Sequence, residues 1–433
     1  PIPFLARYRR ASIGGLDERT LRELRAEEQR VREFEQRREF ILKAISARDP
    51  VPEKLKRRVE RCRSRIELEY LYEPFRPPRK TPGWLAKEQG LEPLAVAFLK
   101  GEEQSVGEFL NPAMGVQNED DALHGVREIL AERFSATPDI RLTMLRAVEK
   151  EGVLTSAPAA GKETIPDRFR QFRKFEERLH KIPSHRYLAL RRAESEGALS
   201  VRVEFPDTKI LAAIAQRFFP KEEECSEQAR KVLDESAALA IRHMRPAVLE
   251  DALTTAKDRA DFDAINVFTK NLYDLLLFPP AGPQRVMGVD PAPRGAIPFA
   301  CIDENGQHLE HARLKLFGKD EKKIAEARET ILRLVRSHSI ELVALGNGQG
   351  RHECEAFLSE TFRELGDEEA PAIVVVNEVG AGSYASGRVG RAELPALPVP
   401  VRGAVTLARR LIDPLPELVK VDPVSYTHLT LPT

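Results

Sequence analysis

Two carboxylates of this sequence stand at the ends of short apolar runs that are typical of buried strands. Asp290 ends the run 286–290, and Glu378 follows the run 372–377. Paired carboxylates hold divalent cations, which activate water and stabilise the leaving oxygen in phosphodiester hydrolysis. The pair is therefore a candidate Mg²⁺-dependent nuclease site, provided that the fold brings the two strand ends together.

This candidate set of acids is incomplete. A third acid should come from the inward face of the last predicted helix, Arg402–Ile412, but its first turn offers Arg402, Gly403 and Ala404, and Asp413 comes only at its far end. A cation at this position would oppose metal binding by like-charge repulsion. We therefore predict that Asp290, Glu378 and Asp413 are vestigial catalytic candidates, with no metal site and no cofactor; Mg²⁺ is expected only under the nuclease alternative. In the non-catalytic interpretation, Asp290 stabilises its strand-end turn and Glu378 accepts backbone N–H groups of the glycine-rich segment after it.

A run of basic residues near the amino end is the second candidate site. Such residues neutralise the phosphates of nucleic acid whatever the base sequence. The first hundred residues hold roughly eight more Lys and Arg than Asp and Glu, although the net charge of the chain is zero. Acidic residues are interleaved, so a solvated helix with internal ion pairs is an equal alternative. The predicted nucleic-acid contacts are Lys54, Lys56, Arg57, Arg58, Arg61, Arg76, Arg79 and Lys80.

Three other features carry weaker signals. The glycine-rich turn 345–351 could hold a phosphate at a helix start, but it matches no nucleotide-binding fingerprint, so an ordinary tight turn is favoured. His185 has no second ligand nearby, which favours a core or capping role. The four cysteines are far apart and lack the spacing of a zinc site or a disulfide scaffold.

Helical patterns fill the first two-thirds of the chain. A long helix is predicted over Asp17–Ser46 and a second, basic one over Glu53–Tyr70, followed by a proline-rich connector, 72–82. Further helices are predicted with short breaks between them, and we expect this part to be helical throughout or nearly so. These helices are predicted at Leu123–Arg133, Arg141–Glu151, Arg168–His180, Leu211–Phe218, Cys225–Met244 and Leu249–Phe278.

The pattern changes after a proline-rich break at 279–283. Three strands are predicted with a tight turn at 303–306 between the second and third, then a helix, a strand, a helix, a strand whose apolar run suggests burial on both faces, and a last helix. This is the element order of an RNase H-like fold. The predicted strands are 286–290, 297–302, 308–317, 342–346 and 372–377, and the helices are 319–337, 352–365 and 402–412.

Several motifs, in order along nearly the whole chain, resemble those of the Tex family. Ile2–Arg10 and the segment from Leu68 to Thr81 resemble its opening motifs, and Lys181–Leu190 is similar to another signature of the family. Four further segments look like its YqgF-type domain, which is RNase H-like. These segments are Gly288–Pro291, Leu345–Gly348, Asn377–Ala381 and Val401–Leu415.

The resemblance implies a bacterial transcription accessory protein that binds RNA or DNA without regard to sequence, with the RNA polymerase machinery as a further partner. We expect a non-catalytic scaffold with a degenerate RNase H-like domain. A metal-dependent nuclease and a pure protein-interaction scaffold remain the alternatives.

The resemblance also predicts how the chain divides. We expect a Tex N-terminal helical domain over 1–150 with its start missing, a central helical region over 151–283, and the YqgF-type domain over 284–400. Residues 401–423 are expected to begin a truncated helix-hairpin-helix region. Residues 424–433 lose the charged character of the rest and are predicted to be a foreign tail that packs against nothing. No apolar stretch approaches the ~20 residues that span a bilayer, and the cysteine usage is consistent with a cytoplasmic protein.

Overall fold

The computed structural model describes residues 1–47, 53–76, 80–161, 165–291, 295–318, 320–366, 369–422 and Ser425. The chain divides into two compact units, Pro1–Ala260 and Asp261–Thr433. A mainly helical part and a part built on a five-stranded sheet thus follow one another as the sequence predicts. The predicted tail lies outside the described residues except for Ser425.

Unit 1 is mainly helical, and polar caps set several of its helix starts. Asp17 accepts a hydrogen bond from the Thr20 backbone N–H, and Asn118 accepts one from that of Asp121. The helices are α1 (Ile2–Tyr8), α2 (Glu18–Ser46), α3 (Glu53–Arg61), α4 (Arg65–Tyr72), α5 (Pro82–Glu88), α6 (Glu92–Leu99), α7 (Glu119–Ser135), α8 (Pro138–Glu151), α9 (Ser184–Ser195), α10 (Thr208–Phe218) and α11 (Glu227–Leu276).

The predicted helix Glu53–Tyr70 is two helices. Ser64 interrupts it because its side chain accepts a hydrogen bond from the Glu67 backbone N–H and so caps a new helix, α4. The two helices can therefore present different faces: α3 carries exposed cations, whereas α4 buries Leu68, Tyr70 and Leu71.

A small antiparallel sheet contradicts the expectation of an all-helical first part. Its strands are ordered β2-β1-β3. The predicted helix Arg168–His180 is wrong: Asp167–Phe172 is a 3-10 helix and Phe175–Arg178 is a strand. Phenylalanines at three-residue intervals suit a helix, but the pairing of Phe175–Arg178 with β1 overrides this local pattern. The strands are β1 (Val153–Pro158), β2 (Phe175–Arg178) and β3 (Leu199–Glu204).

Helix α11 runs unbroken where two helices were predicted. Pro246 lies inside it and removes one backbone hydrogen bond, a loss that ordinarily kinks or ends a helix. Here Pro246 is exposed, while Met244 and Val248 on either side are buried in the core of unit 1. Burial of the opposite face therefore outweighs the local break. The part of α11 up to Ala260 belongs to unit 1 and the remainder to unit 2.

Unit 2 is built on a five-stranded sheet with the order β6-β5-β4-β7-β8. The first three strands are antiparallel, and β4, β7 and β8 are mutually parallel neighbours. The predicted RNase H-like element order is confirmed. The elements are β4 (Val286–Val289), β5 (Ile297–Ile302), β6 (His308–Leu314), α12 (Glu321–His338), β7 (Leu342–Gly346), α13 (Arg351–Phe362), β8 (Ala372–Val376), α14 (Ala381–Ser386), α15 (Arg388–Glu393), α16 (Val399–Ile412) and α17 (Pro414–Leu418).

Helices cover both faces of this sheet. Because side chains alternate along a strand, Met287 and Val289 pack under α12 and α13, whereas Val286 packs under α16. Helix α16 therefore belongs to the sheet domain, although a separate region was predicted to begin at residue 401. Strand β8 is only partly buried, contrary to expectation, because it is the edge strand of the sheet.

Candidate functional site

The structure brings Asp290 and Glu378 to one edge of the sheet. Strands β4 and β8 lie on either side of β7, and all three are parallel, so their carboxyl ends meet there. Asn347, which follows β7, accepts a hydrogen bond from the Glu378 backbone N–H at 3.0 Å. The carboxylate of Glu378 in turn accepts one from the backbone of Gly348.

Glycines on the neighbouring elements make room for the two carboxylates. A Cβ at Gly346 would lie 2.9 Å from Glu378 Oε2 and 2.8 Å from the Cδ of Pro291. On α16, a Cβ at Gly403 would lie 2.6 Å from Asp290 Oδ2. The helical position that faces Asp290 is thus a glycine and supplies no ligand.

The prediction that Arg402 opposes metal binding is wrong in its geometry. The Arg402 guanidinium is buried and donates hydrogen bonds to the carbonyl oxygens of Leu394 at 2.9 Å and Ala385 at 3.3 Å. It holds the loop before α16 and the end of α14. What the third-acid position lacks is therefore a side chain of any kind, because Gly403 occupies it.

Burial favours the protonated form of the carboxyl pair. Burial, and after it the charge of Glu378, raises the pKa of Asp290 to about 6. Burial also raises the pKa of Glu378, against the effects of the Gly348 N–H and the Arg410 charge. Glu378 Oε2 is buried and has no hydrogen-bond partner within the described residues.

Asp413 does not join the pair. Its Oδ1 accepts a hydrogen bond from the Leu415 backbone N–H at 3.1 Å and caps α17. It lies ten residues beyond Gly403, or about 15 Å along a helix. In the part of the chain that the structure describes, no group of three or more His, Cys, Asp or Glu side chains is arranged to hold a metal ion. Two carboxylates and a glycine do not fit the donor set of a two-metal site.

The basic residues around α3 form a groove of about 720 Å³, which we name the α3 groove. Lys54, Lys56, Arg61 and Arg63 are exposed, and none of them makes an ion pair with another described residue. Among the described residues, Arg57 pairs only with Glu53, within its own helix. The residues that line the groove are Lys54, Arg57, Arg58, Arg61, Cys62, Arg63, Ser64 and Glu67.

Two other predicted contacts are engaged in structural ion pairs. Arg58 Nη2 lies 3.1 Å from Glu67 Oε1, and Arg76 lies close to both Glu69 and Glu73. Arg58 and Arg76 therefore fit the prediction of a helix with internal ion pairs. The exposed cations of α3 fit the prediction of a phosphate-binding face. Lys80 is exposed, and Arg79 lies outside the described residues.

Fold and sites together define a helical scaffold with an exposed basic groove, joined to an RNase H-like domain whose acidic set is incomplete. The Tex-like protein N-terminal domain matches residues 1–46, the Tex central region-like domain matches 100–268, and the Tex protein YqgF-like domain matches 284–412. The chain belongs to the Tex family.

Named relatives extend along nearly the whole chain. It is 35% identical to the transcriptional accessory protein Tex of Neisseria gonorrhoeae and to the protein YhgF of Escherichia coli, in each case over 98% of this chain and 56% of the relative. It is 27% identical to the human S1 RNA-binding domain-containing protein 1, over 98% of this chain and 44% of the relative. The chain thus spans about half the length of the curated relatives it matches. None of the helices in the described residues combines the length and apolar character needed to cross a membrane.

Proposed function

We propose that this chain is a nucleic-acid-binding transcription accessory factor that acts as a non-catalytic scaffold in the cytoplasm. The observation that carries the proposal is the set of exposed cations in and beside the α3 groove that have no acidic partner among the described residues: Lys54, Lys56, Arg61 and Arg63. The names of the relatives, a transcriptional accessory protein and an S1 RNA-binding domain-containing protein, support the same function.

Cations without partners are the ones that bind phosphate most favourably. An Arg held by a carboxylate must give up that contact first, whereas Lys54 and Arg61 have no such contact with any residue that the structure describes. Lys and Arg that bind the phosphate backbone release counterions and read no base edges. We therefore expect binding that is weak, salt-sensitive and indifferent to sequence.

The carboxyl pair supports a non-catalytic role. Two-metal hydrolysis requires further ligands beside two carboxylates, whereas Gly403, the α16 residue that faces Asp290, has no side chain. The nuclease is nevertheless a second candidate, because Asp290 and Glu378 do meet at one sheet edge.

Binding is tested with a charge-matched pair of variants. Fluorescence polarisation of labelled single-stranded and duplex oligonucleotides is measured for the triple variant Lys54→Gln, Arg57→Gln, Arg61→Gln. Its control is Arg173→Gln, Lys174→Gln, Lys231→Gln, which removes three exposed charges that do not line the α3 groove. We expect the first variant to lose about tenfold in affinity and the control to lose little. Equal losses would show that the net charge, and not this groove, controls binding.

Catalysis is tested separately by endpoint cleavage of RNA and DNA with Mg²⁺ or Mn²⁺. We expect no cleavage above that of a protein-free reaction. Cleavage that Asp290→Asn abolishes would replace the scaffold by the nuclease. If neither binding nor cleavage occurred, a pure protein-interaction scaffold for the RNA polymerase machinery would be the remaining function.

A further inference from the structure

Asp139 bridges two arginines that belong to different helices of unit 1. Its Oδ1 accepts a hydrogen bond from Arg58 Nη1 at 2.5 Å, and its Oδ2 lies 3.6 Å from Arg217 Nη1. Arg58 lines the α3 groove, and Arg217 lies at the end of α10. Asp139 itself is exposed in the first turn of α8.

A second basic groove, of about 630 Å³, opens beyond Arg217, and we name it the α10 groove. Its cations are Lys100, Arg133 and Arg217, and no acidic residue is among the residues that line it. Lys100 and Arg133 are exposed and make no ion pair with any residue of the described ranges. The remaining lining is apolar: Val96, Leu99 and Phe218.

This groove leaves no trace in the sequence. Its three cations come from the segment after α6, from α7 and from α10, so no run of basic residues announces it. The acidic stretch Glu222–Glu224 does not line it, although the Glu224 backbone lies beside Gly101. The Ser226 backbone N–H donates to the Gly101 carbonyl oxygen at 2.9 Å, which holds that stretch near Lys100.

We propose that the α3 and α10 grooves form one path for single-stranded nucleic acid, interrupted by Asp139 at the point where they join. The inference rests on the proposed function and extends it to a second surface. A strand that passes from one groove to the other brings a phosphate to Arg58 and Arg217, where it competes with the Asp139 carboxylate for both guanidinium groups. Asp139 therefore lowers the affinity of the path.

The apolar floor of the α10 groove selects single strands. An unpaired base can contact the exposed parts of the half-buried Phe218 and Leu99, whereas a duplex keeps its bases stacked inside. RNA and DNA share the required phosphates and bases, and both serve as probes.

The first test is Asp139→Asn, which keeps the shape of the side chain and removes its charge. We expect single-stranded oligonucleotides to bind about three- to tenfold more tightly, because Arg217 and the Nη1 atom of Arg58 lose their contact with a carboxylate, although Arg58 keeps its pair with Glu67, and because one repulsive charge disappears. Asp234→Asn is the matched control, since Asp234 is an exposed acid that pairs with Arg230 and lines neither groove. An unchanged or weakened affinity in Asp139→Asn, or an equal gain in Asp234→Asn, would overturn the proposal.

The second test is Lys100→Gln, Arg133→Gln, which leaves the α3 groove and Asp139 intact. We expect weaker binding of a single strand, a smaller loss for a duplex of the same sequence, and normal urea unfolding. Loss of binding in the α3 triple variant with no effect of Lys100→Gln, Arg133→Gln would refute the path while the proposed function stands. If the unaltered chain binds no oligonucleotide, both are refuted.

Discussion

At the scale of single residues, the carboxyl pair of unit 2 shows how neighbours decide what a carboxylate can do. Asp290 and Glu378 have the residue types and strand-end positions of metal ligands, but burial raises the pKa of each. A bound cation would offset the desolvation cost of the two ionised carboxylates. Gly403, which faces Asp290, has no side chain that could do so. The pair is therefore a cost to stability at neutral pH.

Asp290→Asn should make the chain more stable at neutral pH. The folded pKa of Asp290, about 6, exceeds the ordinary value, so the native state binds more protons between about pH 4 and pH 6. The free energy of unfolding then falls as pH rises through this window and levels off above it. The variant should be more stable at pH 7 to 8 by about 1–3 kcal/mol, with the difference shrinking towards pH 4.

The measurement is urea unfolding at pH 4.5, 6 and 7.5 in EDTA, with Glu369→Gln as a control at an exposed carboxyl of the same unit. A lower stability of Asp290→Asn at pH 7.5 would contradict the prediction, because it would mean that the ionised Asp290 carboxylate makes interactions that stabilise the fold. Repeating the series with Mg²⁺ checks whether the cation stabilises the unaltered chain alone.

The sequence predicted these carboxylates but not their surroundings. Strand ends are local features, so Asp290 and Glu378 could be located from two apolar runs. Which residue of α16 faces Asp290 depends on how the helix rotates on the sheet. The sequence showed that its first turn, Arg402 to Ala404, holds no acid, but the argument from the Arg402 charge did not foresee that Gly403 faces Asp290. The Arg58 pair with Asp139 joins residues that are 81 positions apart, which no local pattern encodes.

At the scale of elements, one close contact fixes α16 on the sheet. Gly288 of β4 lies directly beneath Ala404, so closely that a Cβ would collide with the Ala404 carbonyl oxygen. Because the Ala404 carbonyl oxygen is a backbone atom, it cannot move out of the way by a rotamer change as a side chain would. The contact also sets the height of Gly403 above Asp290.

Gly288→Ala should destabilise unit 2 by about 3 kcal/mol, at the upper end of the cost of overpacking. Thermal and urea unfolding by circular dichroism would measure the change. Gly382→Ala is the control, because a Cβ there meets nothing within 4 Å and alanine favours the helix α14. Equal stability of Gly288→Ala and the unaltered chain would show that α16 can move away from β4 without a loss in the free energy of unfolding.

The elements that the sequence predicted best are those fixed by a single strong pattern. Strands β5 and β7 have their predicted bounds, because each is a continuous apolar run between turn residues. Residues 168–180 were predicted as a helix because their spacing suits one, and pairing of β2 with β1 overrides it. Helix α11 was predicted as two helices, separated near Pro246. The burial that keeps it continuous involves the core of unit 1 as a whole, which a local pattern does not encode.

At the scale of the whole molecule, a net charge of zero hides separated charges. The chain has 68 basic and 68 acidic residues, so its overall field does not attract a polyanion. Binding must then come from places where cations outnumber acids, and the α3 and α10 grooves are two such places. The α3 groove is lined by residues 54–67, which are close in the sequence, whereas the folding of unit 1 brings residues 100, 133 and 217 together in the α10 groove.

The salt dependence of the binding affinity should reflect how many of these cations contact phosphate. Each phosphate neutralised on a single strand contributes about −0.7 to the slope of log affinity against log salt. Some five phosphate contacts would give a slope of about −3.5, so affinity should fall roughly a hundredfold between 50 and 200 mM salt. The measurement is a polarisation titration at four salt concentrations.

The α3 groove variant and its control test which cations produce this slope. We expect the slope to flatten by about 2 in the triple variant Lys54→Gln, Arg57→Gln, Arg61→Gln. It should stay unchanged in the control variant Arg173→Gln, Lys174→Gln, Lys231→Gln. A slope near zero would mean that apolar contacts carry the binding, and the basic grooves would then lose their role.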